Sequence, residues 1–339
     1  MTPNLINPEQ LFTQHRNAVL LDVRTPAEYN KGHIPKALNF PLFDNDERVE
    51  VGTLYKQVGP DDALIRGLEL VGPKMAGFVK EAKKIIKDNE AVLYCWRGGK
   101  RSKSMSWLFD NVGIKTNVIK GGYKSYRKYV RTSFQSLQPN FIVLGGPTGS
   151  GKTNILHELR RLGEQVLDLE GLANHKGSAF GWIGEKEQPA IEHFENLLLA
   201  EINDMDLTKR IWLENESRMV GKVYLPDGFW EKMKASKLIN IDIPYEDRVQ
   251  ILVNNYSSDN APELIRSFDK ITKRLGTENI KKAKEAIEKD DFHGAARIAL
   301  KYYDKRYAEL LNNNKSPSIT LLNFNTGDPQ VIAQKLISI

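Results

Sequence analysis

The chain has a single cysteine, Cys95, among its 339 residues. No internal disulfide can form, and a reducing, cytoplasmic compartment is expected. No run approaches the roughly 18 apolar residues of a membrane helix, so no membrane partner is expected. Met1 to Phe12 has neither a basic start nor an apolar stretch, and no signal peptide is expected. There is no internal repeat and no low-complexity tract. The most informative scarcity is of acids. From Cys95 to Arg131 there is one, Asp110, against ten Lys and Arg. Met1 to Tyr94 carries 12 basic and 13 acidic residues, and Thr132 to Ile339 carries 27 and 29. The net charge of +6 therefore originates in one 37-residue segment that begins at the only cysteine. Charge runs are often solvated helix faces. Here the cations fall in turns as well as helices, which points to an anion site.

What is present is a globular balance, 40% hydrophobic and 27% charged, long enough for two domains. Ala18–Asp22, Ala91–Tyr94 and Thr116–Ile119 read as buried strands. Thr25 is an N-cap with Pro26 at the first helical position. Lys74–Lys87 and Ser102–Asn111 read as helices, and Gly121-Gly122 as a turn. Strands alternating with helices imply an α/β domain with an open parallel sheet over 1–133. The polar stretch from Ser133 to Asn140, with Pro139, reads as a linker over 134–140. A second α/β domain follows over 141–339, with strands at Phe141–Gly145, Gln165–Leu169, Arg210–Glu214, Leu238–Ile243 and Ser318–Asn323. The gap at about 245–312 holds amphipathic helices (Val249, Leu252, Val253, Tyr256; then Leu264, Ile265, Phe268, Ile271, Leu275) and reads as a helical insertion. Within it, Lys270–Arg306 has 11 basic and 6 acidic residues, a weaker second basic region.

Two loops carry chemistry. Cys95-Trp-Arg97-Gly98-Gly99-Lys100-Arg101 lies between a strand and a helix, where ligands bind in open α/β sheets. Its glycines allow backbone N–H groups to converge, and Arg97, Lys100 and Arg101 add positive potential. Such surroundings favour thiolate over thiol and hold an anion attached to sulfur. A lone cysteine is otherwise a small buried hydrophobe, which explains a Gly- and Arg-rich loop poorly. The second loop, Gly146-Pro-Thr-Gly149-Ser150-Gly151-Lys152-Thr153, fits the P-loop pattern and has the strand-then-helix context that gives the pattern meaning. Backbone N–H groups would cradle phosphates, Lys152 would neutralise them, and the Thr153 hydroxyl is placed for Mg²⁺. The motif specifies a pyrophosphate-like ligand and leaves its identity open. Glu214 and Glu216, after a strand, are either second ligands holding water around Mg²⁺ or a solvated strand end.

Asp22-Val-Arg-Thr-Pro-Ala-Glu-Tyr, Gly32-His-Ile-Pro-Lys-Ala-Leu-Asn-Phe-Pro41 and the Cys95 loop resemble the rhodanese family. That resemblance implies that Cys95 is a chalcogen carrier. Asp22 and Arg24 are expected to hold the fold by ion pairing, and His33 to sit in a structural turn. The union with a P-loop domain is similar to the tRNA 2-selenouridine synthase family over nearly the whole chain. The matches include Gly52-Thr-Leu-Tyr-Lys-Gln57, Gly121-Gly-Tyr-Lys-Ser-Tyr-Arg127, the long Asp168–Gly181 segment, Gln188-Pro189, Phe194-Glu-Asn196 and Tyr302-Tyr-Asp304. The resemblance implies a transferase acting on tRNA that carries wobble 2-thiouridine. It would alkylate the sulfur with geranyl diphosphate and then replace it with selenium from selenophosphate. No tightly bound cofactor is expected beyond a candidate Mg²⁺. A selenophosphate-supplying enzyme is a candidate partner. Asn174, His175, Lys176 and Ser178 are a candidate substrate loop, and Lys124, Arg127 and Lys128 are candidate tRNA contacts. Two other readings stay open: a sulfurtransferase coupled to an ATP-dependent kinase-like domain, and a non-catalytic RNA-binding module with a nucleotide switch.

Overall fold

The computed structural model describes residues 3–87, 90–255, 260–312, 316 and 318–339. The chain divides into two compact units, Met1–Ser133 with Glu195–Asp204, and Phe134–Phe194 with Met205–Ile339. Both are α/β, as expected.

The first unit is built on β1 (Asn4–Ile6), β2 (Val19–Asp22), β3 (Leu38–Asn39), β4 (Ala91–Tyr94) and β5 (Thr116–Ile119). They form one parallel sheet in the order β1-β5-β4-β2-β3. The central strand β4 is buried along its whole length, which is why it reads as an unbroken apolar run. Thr25 caps the helix Pro26–Lys31 reciprocally with Glu28. Met75–Ile86 and Lys100–Asp110 are helices. Asn45–Gln57 and Pro60–Val71 are two more that the apolar pattern does not announce. Asp22 and Arg24 form a fully buried bidentate pair (2.9 and 2.6 Å), and Arg24 also donates to the Gly32 carbonyl at 2.7 Å. His33 stacks on Tyr29 with ring centroids 3.7 Å apart, in the turn expected for it.

The segment expected as a linker is mostly ordered secondary structure. The helix Gly122–Ser136 runs through it, and the next strand starts at Asn140. Val130, Phe134 and Leu137 are buried at helical spacing, and Phe134 packs edge-on against Phe229. An apolar stripe therefore overrides the polar composition.

The second unit has β6 (Asn140–Gly145), β7 (Gln165–Leu167), β8 (Arg210–Glu214), β11 (Lys237–Asp242) and β12 (Ile319–Asn323) in one parallel sheet. A short hairpin, β9 (Met219–Val220) with β10 (Val223–Tyr224), stands apart from it. The sheet order is β12-β11-β6-β8-β7. Strand order reverses beside β6, so the loop after β6 opens at the crevice where such sheets bind ligands. The insertion is helical: Tyr245–Asn254, Ala261–Lys270, Thr272–Leu275, Thr277–Glu288 and Phe292–Asn312. The last four share a core that includes Leu264, Phe268, Ile280 and Ile287, closed by Phe180 and Ile183. Tyr256, expected on the insertion's apolar face, lies outside the described residues.

Candidate functional site

The thiol of Cys95 follows β4 and is buried at 4% exposure. Its sulfur is nevertheless polar in its contacts. The Gly99 N–H donates to Sγ at 3.3 Å, and the Ser102 hydroxyl lies 3.3 Å from it. Both come from the start of the helix Lys100–Asp110, whose positive end faces the sulfur. The Cys95 and Trp96 carbonyls accept from the Tyr123 and Lys124 N–H groups at 2.9 Å, which pins the loop to the Gly121-Gly122 turn. Gly122 has φ +60°, and a Cβ there would lie 2.2 Å from the Cys95 oxygen, so only glycine fits. Arg97 and Lys100 are exposed at the rim.

Arg101 does not aim its fork at the sulfur. It donates to both oxygens of Glu28 at 2.6 and 3.1 Å. Burial acts to raise the Glu28 carboxyl, but the Arg101 hydrogen bonds and charge outweigh it and hold it below its ordinary range. Arg101 therefore ties the helix start to the capping residue of Pro26–Lys31. Ser102 was not marked by the sequence pattern; its position in the first helical turn is the only signal.

The candidate tRNA contacts divide. Lys124 and Lys128 are exposed one turn apart on the helix Gly122–Ser136. Arg127 is 9% exposed, donates to Asn196 at 2.5 Å and is ion-paired with Glu195. Asn196 in turn donates to the His33 carbonyl and the Tyr123 hydroxyl at 2.8 and 2.9 Å. Arg127 is a structural anchor, and the expectation that it meets tRNA is corrected. Its acidic partner lies 68 positions away in sequence, beyond any local pattern.

In the second unit, Gly149 and Gly151 take positive φ and the helix Lys152–Arg161 follows. Lys152 Nζ donates to the Gly146 carbonyl at 2.9 Å, folded over its own loop. The Ser150 hydroxyl is buried, and no protein group hydrogen-bonds it among the described residues. Such an orphan inside a phosphate cradle points to a ligand acceptor or donor. The Thr153 hydroxyl donates to Glu170 at 2.9 Å. Glu170, which sequence reasoning left unassigned, is buried in the Asp168–Gly181 segment.

Glu214 is fully buried, which corrects the expectation of a solvated strand end. One of its oxygens accepts from the Leu169 N–H at 3.2 Å. Burial first, then the charges of Asp168 and Glu170, push its carboxyl well above the usual range. Glu216 is pushed up to about 8, by burial and then by the Glu170 charge, with Lys152 opposing. Among the described residues, no group of three or more His, Cys, Asp or Glu side chains is arranged to hold a metal ion.

In the candidate substrate loop, Asn174 takes φ +49° and donates to the Glu187 carbonyl at 2.9 Å. Lys176 is ion-paired with Glu185 at 3.0 Å. Ser178 accepts from the Phe180 N–H at 3.1 Å. His175 is buried, its Nδ1 has no hydrogen-bond partner among the described residues, and burial lowers its ring below the ordinary histidine range. The first two shape the loop, while His175 stays neutral inside it.

Comparison with known proteins fits both loops. A family model described as the tRNA 2-selenouridine synthase AAA domain matches residues 139–323, and a rhodanese-like domain model matches 9–129. The tRNA 2-selenouridine synthase of Hydrogenovibrio crunogenus is 36% identical over 329 residues, 86% of this chain and 89% of that protein. That of Pseudomonas putida is 34% identical over 352 residues, 91% of each. That of Nitrosomonas europaea is 39% identical over 249 residues, 70% of this chain and 63% of that longer protein. The chain belongs to the tRNA 2-selenouridine synthase family.

Proposed function

We propose that the chain is a tRNA-modifying transferase that turns wobble 2-thiouridine into 2-selenouridine in two steps. In the first, the 2-thio sulfur attacks C1 of geranyl diphosphate. The C–S bond forms, the C–O bond breaks and diphosphate leaves. In the second, the selenium of selenophosphate bonds to C2 of the base as the C2–S bond breaks, and geranyl thiol departs with a proton. The P–Se bond is then cleaved, leaving selenium on the base, and the phosphoryl group ends on water as phosphate. Alkylation comes first because it makes sulfur a competent leaving group.

The observation that carries this reading is the pair of differently built anion sites in one chain. One presents a thiol under a helix N-terminus and backbone N–H, with Arg97 and Lys100 at its rim. The other is a phosphate cradle with a buried Ser150 hydroxyl that finds no partner among the described residues. We assign Cys95 to the selenium step and Lys152 to the diphosphate donor. Selenium in selenophosphate is already at the selenide level, so a perselenide on Cys95 would need a two-electron oxidant. Attack of the Cys95 thiolate on phosphorus needs none: the S–P bond forms as P–Se breaks, and water then frees phosphate from sulfur.

The test is nucleoside mass spectrometry of tRNA from cells lacking the gene and complemented with variants. Cys95→Ala should abolish 2-selenouridine and accumulate S-geranyl-2-thiouridine. Lys152→Ala should slow S-geranylation about 100-fold or more, by loss of the main charge on the phosphates. Normal 2-selenouridine with Cys95→Ala refutes the thiol's role. Wild-type S-geranylation with Lys152→Ala removes the donor from the P-loop.

A further inference from the structure

The P-loop is not the only concave feature on its side of the second unit. Thr148, within the loop, also lines a narrow pocket with a volume of about 60 Å³. Its walls are apolar, with Leu252, Phe268, Phe292 and Ala296 among them; among the described residues, Thr148, Ser178 and Tyr303 are its only ones with polar side chains.

The cradle and this pocket are mechanically joined. Arg248 donates to the Thr148 carbonyl through Nε and Nη2, at 3.0 and 2.8 Å, and is ion-paired with Asp304. A Cβ on Gly149 would lie 2.9 Å from the Arg248 carbonyl and 3.2 Å from Leu252 Cγ. The helix Tyr245–Asn254, which supplies Leu252 to the pocket, is thus pressed onto the phosphate loop. Asp304 belongs to Phe292–Asn312, the helix that supplies Phe292 and Ala296. One charged clamp holds both apolar walls against the cradle.

A ligand spanning these two spaces has an anionic phosphate head and an apolar body. A nucleobase suits the pocket poorly, since its polar edges need partners that these walls do not provide. The buried cation nearby, Arg248, is already committed to Thr148 and Asp304. We infer that the pocket receives the far end of the diphosphate donor's isoprenoid chain and sets the chain length accepted. This rests on the assignment of the donor to the P-loop and adds where the end of its chain goes. It also gives the helical insertion a task, because most of the pocket wall comes from it.

The test is equilibrium binding of geranyl diphosphate, dimethylallyl diphosphate and inorganic pyrophosphate to the full-length chain. Burial of each methylene-sized group is worth roughly fourfold in affinity. Geranyl diphosphate should therefore bind up to about 1,000-fold tighter than dimethylallyl diphosphate, which is five carbons shorter. Ala296→Phe, which fills the pocket, should weaken geranyl diphosphate at least about 30-fold, the equivalent of two to three lost methylenes. Its pyrophosphate affinity should stay at the wild-type value, which also reports that the variant is folded. The chain-length series on wild type stands independently of any variant. Equal affinity for all three ligands, with all three weakened by Lys152→Ala, would overturn the pocket's role and leave the donor on the P-loop. Geranyl diphosphate binding untouched by Lys152→Ala would overturn both. ATP binding tighter than geranyl diphosphate, and lost in Ala296→Phe, would make the pocket a nucleotide site and overturn the inference.

Discussion

Glu216 keeps its proton where an ordinary glutamate has lost it. The folded chain holds it up to about pH 8, against an ordinary 4.5, because burial and the neighbouring Glu170 charge disfavour its ionised form. Between those values the native state binds a proton that the unfolded chain releases. Stability therefore falls as pH rises through this window, and the penalty is complete above about pH 8. Glu216→Gln keeps a hydrogen-bond donor toward Glu170 and removes the titration. The variant should match wild type near pH 5 and exceed it at pH 9, as read by urea unfolding at the two values. Glu214, raised for similar reasons, remains in the variant and leaves part of the slope. A wild-type slope in the variant would mean that Glu216 is ionised throughout. None of this was visible from the spacing of Glu214 and Glu216, which looked like a strand end near a metal. Burial by the Asp168–Gly181 segment is a tertiary fact.

At the scale of elements, what the sequence made legible follows how each element is stabilised. The buried strands Ala91–Tyr94 and Thr116–Ile119 were readable because central parallel strands are continuously apolar. The edge strands Asn4–Ile6 and Leu38–Asn39, of three and two residues, carry too little pattern to detect. The helix Asn45–Gln57 buries no residue, so periodicity could not announce it, although its Asp44–Glu47 capping box was there to be read. The two chemical loops stood out because backbone geometry restricts their residue types. Arg127 did not, because its partners arrive on the helix Ile191–Asn203 from far along the chain. Its role gives a prediction about that helix. Arg127→Ala leaves the half-buried Glu195 and the fully buried Asn196 without their cation, and should cost about 3 kcal/mol of stability. The salt dependence of tRNA binding should not change. Chemical unfolding combined with a salt titration separates the outcomes; a stable variant with a flattened salt slope would restore Arg127 as a phosphate contact.

For the molecule as a whole, the basic segment is best judged by which of its charges reach solvent. Of its ten cations, Arg101, Lys115 and Arg127 are paired with Glu28, Glu90 and Glu195. All three acids come from outside the segment. The other seven, Arg97, Lys100, Lys103, Lys120, Lys124, Lys128 and Arg131, are exposed. The excess positive charge is thus reduced by long-range pairing but not removed, and what remains surrounds the Cys95 loop in sequence. Lysines facing a polyanion bind by releasing its counterions, so the affinity for tRNA should fall steeply with salt, with a log–log slope of about −0.9 per duplex phosphate neutralised. Lys124 and Lys128 share one exposed helix face and are the pair to remove. Lys124→Ala with Lys128→Ala, leaving the anchor Arg127 intact, should make the slope shallower by about one to two. The loss of affinity should be similar for tRNAs with and without 2-thiouridine, since phosphate contacts carry no base identity. Filter binding across a range of salt concentrations measures both quantities. An unchanged slope would take this helix out of the tRNA contact surface, and a loss confined to thiolated tRNA would place the two lysines at the base instead of the backbone.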